Sequence, residues 1–133
     1  MAEQTLIVLK PDSVKRNLVG EILRRFEEKG FVIKKLKMFT ISRSEAEQFY
    51  SIHREKAFFN ELVTFITSGP IVAAVIEGSE SINKVRAIIG ATKPSEAAPG
   101  TVRRDFGTSL TQNAIHASDS VESFIKESKV IFG

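Results

Sequence analysis

The sequence has no cysteine and no tryptophan, and it has only two histidines. Without cysteine, the chain forms no disulfide and offers no thiol nucleophile or Cys-based zinc site. Its longest apolar run, Ile71–Ile76, has six residues, far fewer than the roughly 20 that a membrane-spanning helix needs. The N-terminal residues lack the basic and apolar regions of a secretory signal. We therefore expect no membrane contact and a cytoplasmic location.

The composition is that of one ordinary globular domain. The chain has 133 residues, of which 42% are hydrophobic and 26% are charged. No linker or repeat divides it, so we expect a single domain over residues 1–133. The net charge is only +3, which suits an anionic ligand but does not require a nucleic acid as partner.

Apolar runs rich in branched residues predict four strands. They lie at Thr5–Leu9, Phe31–Ile41, Ile71–Ile76 and Ala114–Ile115. In the second strand, Leu36 and Met38 face one way, while Lys35 and Lys37 face the other. The third strand is continuously apolar, as expected for a central strand that is buried on both faces.

Apolar residues at helical spacing predict five helices between and after these strands. Their apolar faces are Val14, Leu18, Ile22 and Phe26; Ala46, Phe49, Tyr50 and His53; Phe58, Phe59, Leu62, Val63 and Ile66; Ile82, Val85 and Ile89; and Val121, Phe124 and Ile125. The predicted N-caps are Asp12, Ser42 or Ser44, and Asp119, and Gly20 is a candidate break in the first helix. The order β–α–β–α–α–β–α–β–α, with helices on one side of the sheet, predicts an α+β sandwich of split βαβ units.

Residues 90–111 show neither the helical nor the strand periodicity of apolar residues. This stretch of 22 residues contains three glycines and two prolines, and loops of this length in a compact domain are usually functional or disordered. It also carries Thr92, Lys93, Arg103 and Arg104. We favour a functional loop over a floppy insertion.

His116 is the better catalytic candidate of the two histidines. It lies at a predicted strand-to-helix junction directly after the long loop, and the polar residues 118–120 can orient its ring. An unperturbed imidazole is largely neutral near pH 7 and serves as a nucleophile or a base. A structural role for His116 is the alternative. His53 lies on the apolar face of its helix, where a packed or partly exposed structural histidine is the simpler interpretation.

The familiar phosphate-binding and zinc motifs are absent, since there is no GxxxxGK[ST], no GxGxxG and no HExxH. If the protein handles nucleotides, scattered side chains must bind the phosphates. The candidates are Lys10, Arg86, Thr92 and Arg103. For Lys10 and Arg86 taken singly, a solvated surface charge is the simpler interpretation. For Lys34, Lys35 and Lys37, the simpler interpretation is a solvated strand face, or charges that protect a strand edge from pairing.

Eight short stretches, taken together and in this order, carry a family resemblance. They are Thr5–Asp12 (TLIVLKPD), Gly20–Ile22, Phe49-Tyr50, Phe58-Phe59, Ser68–Pro70, Ile88–Thr92 (IIGAT), Pro99–Arg103 (PGTVR) and Asn113–Ser120 (NAIHASDS). The chain resembles nucleoside diphosphate kinase along nearly its whole length, and the Asn-x-x-His-x-Ser-Asp-Ser segment is the most specific of these stretches. The resemblance implies a ferredoxin-like α+β sandwich, with a four-stranded antiparallel sheet covered by helices. It also implies ping-pong transfer of a γ-phosphoryl group from a nucleoside triphosphate to a nucleoside diphosphate.

The resemblance implies a role for each matching polar residue. His116 is the implied nucleophile, oriented by Glu127 and Ser118. Lys10, Tyr50, Arg103 and Asn113 are implied to contact the transferring phosphoryl group, Arg86 and Thr92 the other phosphates, and Phe58 the base. A core role for Phe58 and a packing role for Tyr50 are the alternatives. The implied Mg²⁺ is bound through the nucleotide phosphates, with no metal ligands from the protein, and the implied assembly is a homo-oligomer, a hexamer rather than a tetramer.

Three departures from the family pattern bear on this site. Ala117 stands in place of a glycine, where a methyl group can restrict the backbone. Lys56-Ala57 replaces Arg-Pro and is expected to loosen the turn before Phe58, and Arg104 is expected to leave a spare positive charge near the site. None of them removes a catalytic role.

Two other hypotheses stay open. The first is a catalytically silent binding module, because related folds also bind RNA and small ligands. The aromatic RNP pattern of such RNA-binding modules is absent from the sequence. The second is an additional partner or nucleic-acid contact beside the kinase activity, which the small positive charge permits.

Overall fold

Four antiparallel strands form one sheet in residues 2–133, which are the residues that the computed structural model describes. The strands are β1 (Ala2–Leu9), β2 (Val32–Phe39), β3 (Ile71–Ser79) and β4 (Ile115–Ala117). Their order across the sheet is β2-β3-β1-β4. β1 pairs with both β3 and β4, and β3 pairs with β2, always antiparallel. The predicted four-stranded antiparallel sheet is confirmed.

Helices connect the strands in nearly the predicted order. They are α1 (Pro11–Lys15), α2 (Val19–Glu28), α3 (Arg43–Phe49), α4 (Phe59–Ile66), α5 (Ser81–Ile89), α6 (Val102–Phe106) and α7 (Val121–Phe132). Two short 3₁₀ turns lie at Ser51–His53 and Pro94–Glu96. The second of these turns and α6 both fall within residues 90–111, so this segment has regular structure of its own. None of the helices in residues 2–133 is long and apolar enough to cross a membrane.

The helices cover both faces of the sheet, so the expectation of helices on one side is wrong. Side chains alternate along a strand, and in β1 this directs Leu6 and Val8 into one core and Ile7 and Leu9 into another. α2 and α5 pack on the core that contains Ile7, whereas α3, α4 and α7 pack on the core that contains Leu6. Burial on both faces explains the continuously apolar sequences of β1 and β3.

Two of the predicted helix caps are wrong. Lys10 occupies the N-cap position of α1, and Asp12 lies inside the helix, where its carboxylate accepts the N–H of Ala114 at 3.1 Å. α7 is capped by Ser120 rather than by Asp119. In both cases a predicted capping aspartate makes a hydrogen bond to another group instead.

The first predicted helix is interrupted at a different residue from the one expected. Asn17, between α1 and α2, has a positive φ of 60°, which asparagine tolerates better than most residues. Gly20, the expected break, lies inside α2. At the other end of the chain, β4 is displaced from Ala114–Ile115 to Ile115–Ala117, because Ala114 has a φ of 76° that no strand accommodates.

Ser42 and Ser44 both fit the capping-box pattern, but the structure uses only Ser42. The Ser42 hydroxyl accepts the N–H of Glu45 at 3.1 Å, and the Glu45 carboxylate accepts the N–H of Ser42 at 3.2 Å. We expect Ser42→Ala to lower the free energy of unfolding by about 1 kcal/mol, measured by urea denaturation. Ser44→Ala, in the exposed first turn of α3, is the matched control and should change it by less than about 0.5 kcal/mol. Equal losses in the two variants would contradict this assignment.

Candidate active site

A single cleft of about 780 Å³ brings together nine of the ten predicted site residues. The nine are Lys10, Tyr50, Phe58, Arg86, Thr92, Arg103, Asn113, His116 and Glu127. They come from the end of β1, the turns around α3 and α4, helices α5, α6 and α7, the long loop, and β4. The tenth, Ser118, is buried behind the cleft wall. Residues that are far apart in the sequence thus converge at one end of the sheet.

His116 is held by a carboxylate on one side of its ring. Its Nε2 lies 2.9 Å from Oε1 of Glu127, and the Ser118 hydroxyl donates to the same oxygen at 2.8 Å. Phe49 packs edge-on against the imidazole, with the two ring centroids 4.9 Å apart. Because a carboxylate only accepts hydrogen bonds, the ring proton belongs on Nε2. No hydrogen bond from residues 2–133 reaches Nδ1, so that nitrogen keeps its lone pair for chemistry.

Lys10 and Asn113 form a buried polar pair beside this ring. Lys10 Nζ donates to Oδ1 of Asn113 at 2.9 Å, and Asn113 Nδ2 donates to the carbonyl of Thr92 at 3.0 Å. Burial and the nearby charge of Arg103 together lower the pKa of Lys10 to about 7, against an opposing effect of Asp12. A buried cation next to another cation is stabilised by an anion, and this corner of the cleft therefore favours one.

Arg103 connects the end of α5 to β4. Its Nη1 donates to the carbonyl of Gly90 at 3.2 Å and its Nη2 to the carbonyl of Ile115 at 2.9 Å. Gly90 ends α5 with a φ of 88°, a conformation that glycine adopts without strain. Burial and the charge of Arg86 lower the pKa of Arg103 to about 10. Its buried Nε has no hydrogen-bond partner among residues 2–133, so this N–H remains free to donate a hydrogen bond to a ligand.

Tyr50 packs and also keeps a free polar atom. Its ring packs edge-on against the ring of Phe49, with the two centroids 5.1 Å apart, as expected if Tyr50 has a packing role. Its buried hydroxyl nevertheless finds no partner within the described part of the chain. Burial raises the pKa of Tyr50, and the negative charge of Glu127 raises it further. The hydroxyl therefore stays protonated and remains available as a hydrogen-bond donor.

The mouth of the cleft is apolar. Phe58 and Leu110 both line it, and their side chains are 43% and 57% exposed. Phe59, rather than Phe58, is the buried core residue, so the alternative of a core role for Phe58 is wrong. An exposed ring and an exposed leucine at the same opening provide surfaces for a flat apolar group.

Two of the three departures from the family pattern, Ala117 and Lys56-Ala57, leave the cleft intact. Ala117 lies within β4, and its carbonyl accepts a hydrogen bond from Arg86 Nη1 at 3.1 Å. The turn at Lys56-Ala57 is closed without the usual proline, because the N–H of Lys56 donates to the carbonyl of His53 at 2.9 Å. The expected loosening of this turn stays a prediction.

The third departure, Arg104, does not add a charge to the cleft. Its guanidinium donates to the carbonyls of Ser95 at 3.0 Å and Ala97 at 3.4 Å. These contacts hold it against the 3₁₀ turn, outside the cleft wall. The charge of Arg104 thus lies next to the cleft, beside the lining residue Ser95, but the side chain does not line the cleft itself.

Several cleft residues were missed or misjudged in the sequence. His53, expected to be a packed or partly exposed structural histidine, is half-buried and lines the cleft, and its buried Nδ1 has no partner in residues 2–133. Burial lowers the pKa of His53, and the positive charge of Lys56 lowers it further. Leu110 and Glu61 also line the cleft. No sequence motif marks these two residues, since an exposed leucine and a surface glutamate are common anywhere.

The cleft as a whole is basic and suited to a phosphorylated ligand. Lys10, Arg86, Lys93 and Arg103 line it, against the acidic Glu61, Asp119 and Glu127. Asp119 accepts the Ser123 hydroxyl at 2.7 Å, which lowers the pKa of this carboxyl. Within residues 2–133, no group of three or more His, Asp or Glu side chains is arranged to hold a metal ion.

Comparison with known proteins agrees with this geometry. A family model described as nucleoside diphosphate kinase matches residues 3–133. Nucleoside diphosphate kinase of Staphylothermus marinus is 54% identical over 130 residues, which are 98% of this chain and 92% of the relative. The protein of the same name from Rubrobacter xylanophilus is 52% identical over 131 residues, 98% of either chain.

A solved structure extends the similarity to the fold. It is an orthorhombic crystal form of the nucleoside diphosphate kinase of Aquifex aeolicus, with a TM-score of 0.97 and 51% identity. The match covers 100% of this chain and 96% of that one. The expected ferredoxin-like α+β fold is thereby confirmed, and the chain belongs to the nucleoside diphosphate kinase family.

Proposed function

We propose that the protein is a nucleoside diphosphate kinase that works by a ping-pong mechanism through a phosphohistidine on His116. The observation that carries this proposal is the 2.9 Å contact between His116 Nε2 and Glu127 at the wall of a basic cleft. With Nε2–H donating to Glu127, the Nδ1 lone pair of the ring is left free, and this lone pair is what a nitrogen nucleophile uses.

In the first half-reaction, Nδ1 of His116 attacks the γ-phosphorus of a nucleoside triphosphate. An N–P bond forms, the bond from the γ-phosphorus to the bridging oxygen breaks, and its electron pair leaves with the diphosphate. The imidazole gains positive charge as the bond forms. Glu127 stabilises this charge through Nε2–H, and the Ser118 hydroxyl holds the carboxylate in place.

In the second half-reaction, a terminal oxygen of the acceptor diphosphate attacks the phosphohistidine. The N–P bond breaks, and its electron pair returns to Nδ1, so the enzyme is regenerated unchanged. The cleft has one set of phosphate-binding groups, which donor and acceptor use in turn. This shared use is the physical basis of a ping-pong sequence.

Lys10, Tyr50, Arg103 and Asn113 supply the donors for the transferring phosphoryl group. Phosphoryl transfer spreads negative charge over the phosphoryl oxygens, and fixed donors directed there lower the barrier. Support comes from the unpartnered Tyr50 hydroxyl and Arg103 Nε, which a ligand would satisfy. The depressed pKa values of Lys10 and Arg103 are further support. Burial is the main cause of both, and a neighbouring cation adds to each, Arg103 for Lys10 and Arg86 for Arg103, so that an anion would offset these costs.

Arg86 and Thr92 bind the remaining phosphates, and Phe58 stacks on the base. The exposed Leu110 lies at the same opening and offers a second apolar surface to the base. Every base has a π-face, so stacking of this kind accepts many bases. Mg²⁺ enters with the nucleotide, bound through its phosphates, in keeping with its preference for few protein ligands.

We also propose that residues 1–133 act as one domain and that the chain assembles with copies of itself, as a hexamer rather than a tetramer. Support for assembly comes from β2, an edge strand whose Leu36 and Met38 are 56% and 59% exposed on one face. Apolar side chains on an unpaired edge are typical of a surface that another chain covers. The cytoplasmic location stays a prediction from the sequence.

Phosphorylation of the histidine tests the proposed function directly. Incubation with γ-labelled ATP and Mg²⁺ should label the protein, with a label that is stable to base and lost in acid. His116→Ala should abolish the label. His53→Ala is the matched control, since it removes the other histidine of the same cleft and should leave the label on His116.

Two outcomes would count against this proposal. If the folded protein takes up no label, the proposed activity is wrong. If His116→Ala is still labelled and circular dichroism shows it folded, the nucleophile is another residue.

Arg103 and its neighbour Arg104 provide a second comparison. Arg103→Ala should lower kcat/KM by at least about 100-fold, because it removes a desolvated, charge-assisted contact to the transition state. Arg104→Ala removes an equal charge outside the cleft wall and should lower kcat/KM by less than about threefold. Steady-state kinetics with ATP and a diphosphate acceptor measures both. A loss below threefold for Arg103→Ala would remove this residue from the site.

A further inference from the structure

Ala114 has a strained backbone two residues before the proposed nucleophile. Its φ is 76°, and the N–H of Ile115 donates to the carbonyl of Asn113 at 3.0 Å. This combination is a γ-turn with a positive φ at its centre, a rare and strained conformation for any residue that has a Cβ atom. Ala114 is fully buried. Such strain persists only where neighbouring groups hold it.

Three groups from the β1–α1 junction hold this turn. The carboxylate of Asp12 accepts the N–H of Ala114 at 3.1 Å. The carbonyl of Ala114 accepts two hydrogen bonds, from the Ser13 hydroxyl at 2.7 Å and from the N–H of Lys10 at 2.9 Å. Both polar groups of the strained residue are thus satisfied by residues about one hundred positions away in the sequence.

The turn matters because it leads directly into β4, whose Ile115 and Ala117 carbonyls are also held by Arg103 and Arg86. β4 contains only three residues, and in residues 2–133 it pairs with β1 alone, on one side. The γ-turn sits between Asn113, whose side chain contacts Lys10, and His116 on β4. A rotation of the backbone at Ala114 would therefore move both side chains relative to the cleft.

From these contacts we infer that Asp12 and Ser13 are positioning residues for the phosphoryl transfer: they clamp Ala114 and thereby fix His116 at the phosphoryl group. The inference rests on the proposed role of His116. Neither side chain lines the cleft, so their effect passes through the backbone of Ala114. A misplacement of about 1 Å at a reacting atom costs on the order of 100-fold in rate.

The experiment has to separate the backbone contact of Asp12 from a second effect of this residue, which is electrostatic. Its carboxylate lies near the buried Lys10 ammonium and affects it electrostatically. Asp12→Asn removes the charge but keeps an oxygen that can accept the N–H of Ala114. Asp12→Ala removes both the charge and the acceptor. A role through the hydrogen bond to Ala114 therefore predicts different rate constants for the two variants, whereas a purely electrostatic role predicts equal ones.

Rapid-quench kinetics with γ-labelled ATP measures phosphohistidine formation, and ADP titration measures binding. For Asp12→Ala we expect the rate constant to fall by about 30- to 100-fold, with the ADP dissociation constant changed less than about threefold. Asp12→Asn should stay within about fivefold of the parent protein. Equal losses in both variants, or a rate for Asp12→Ala within threefold of the parent, would overturn the inference.

Ser13→Ala keeps the test decisive if Asp12→Ala folds poorly. It removes one of the two hydrogen bonds to the Ala114 carbonyl and should slow phosphohistidine formation by about three- to tenfold, again with little change in ADP binding. Ser81→Ala is the matched control, because Ser81 is also fully buried and donates to the carbonyl of Glu3 at 2.6 Å, at the other end of β1. Ser81→Ala should lower stability but not the rate. A Ser13→Ala rate equal to that of Ser81→Ala would also overturn the inference.

The two proposals fail in different ways. A parent protein that forms no phosphohistidine contradicts the proposed function itself. A parent protein that is labelled normally, beside Asp12 and Ser13 variants that are labelled equally fast, contradicts only the positioning role.

Discussion

The hydrogen bond between Glu127 and Nε2 of His116 is the constraint on which the proposed chemistry depends. It links the last helix to the shortest strand and selects the ring tautomer in which Nδ1 has a lone pair. Ser118 donates to the same carboxylate oxygen and keeps it from rotating. Phe49 packs against the ring and limits its other motions. The imidazole is therefore oriented before any nucleotide arrives, which is how a binding site lowers the entropy cost of a reaction.

Around this ring, the cleft is built for a ligand that carries negative charge. Lys10 and Arg103 are buried, and burial together with repulsion from neighbouring cations lowers the pKa of each. The Tyr50 hydroxyl and Arg103 Nε are buried donors that residues 2–133 do not satisfy. Each of these features carries a free-energy cost in the empty cleft, and a phosphate chain reduces all of them together. The antiparallel order of the sheet makes this possible, because it brings Lys10 to within 2.9 Å of Asn113, 103 residues further along the chain.

The sequence alone located the strands and most helices, because periodicity follows directly from which face of an element is buried. It could not decide that helices cover both faces of the sheet, since a continuously apolar strand such as β3 does not say what covers it. The caps at Asp12 and Asp119 were wrong for a related reason: an aspartate near a helix start can bond a distant N–H or hydroxyl as well as its own helix. The positive φ of Ala114 had no signal at all, because glycine is the residue that usually marks it. His116 and the phosphate-binding candidates Lys10, Arg86, Thr92 and Arg103 were identified from the residues themselves. The roles of Tyr50, Phe58, Asn113 and Glu127 came only from the family resemblance, and Leu110 and Glu61, which belong to no quoted motif, were missed.

The most direct test of the central claim is to determine which ring nitrogen carries the phosphoryl group. NMR of the phosphorylated protein, with ¹⁵N-labelled histidine and ³¹P detection, distinguishes the two isomers by their nitrogen shifts and N–P couplings. Because Glu127 occupies Nε2, we expect a single species phosphorylated on Nδ1 of His116. Phosphorylation on Nε2 would mean that the Glu127 hydrogen bond is broken during the reaction, and it would contradict the account of how this site works.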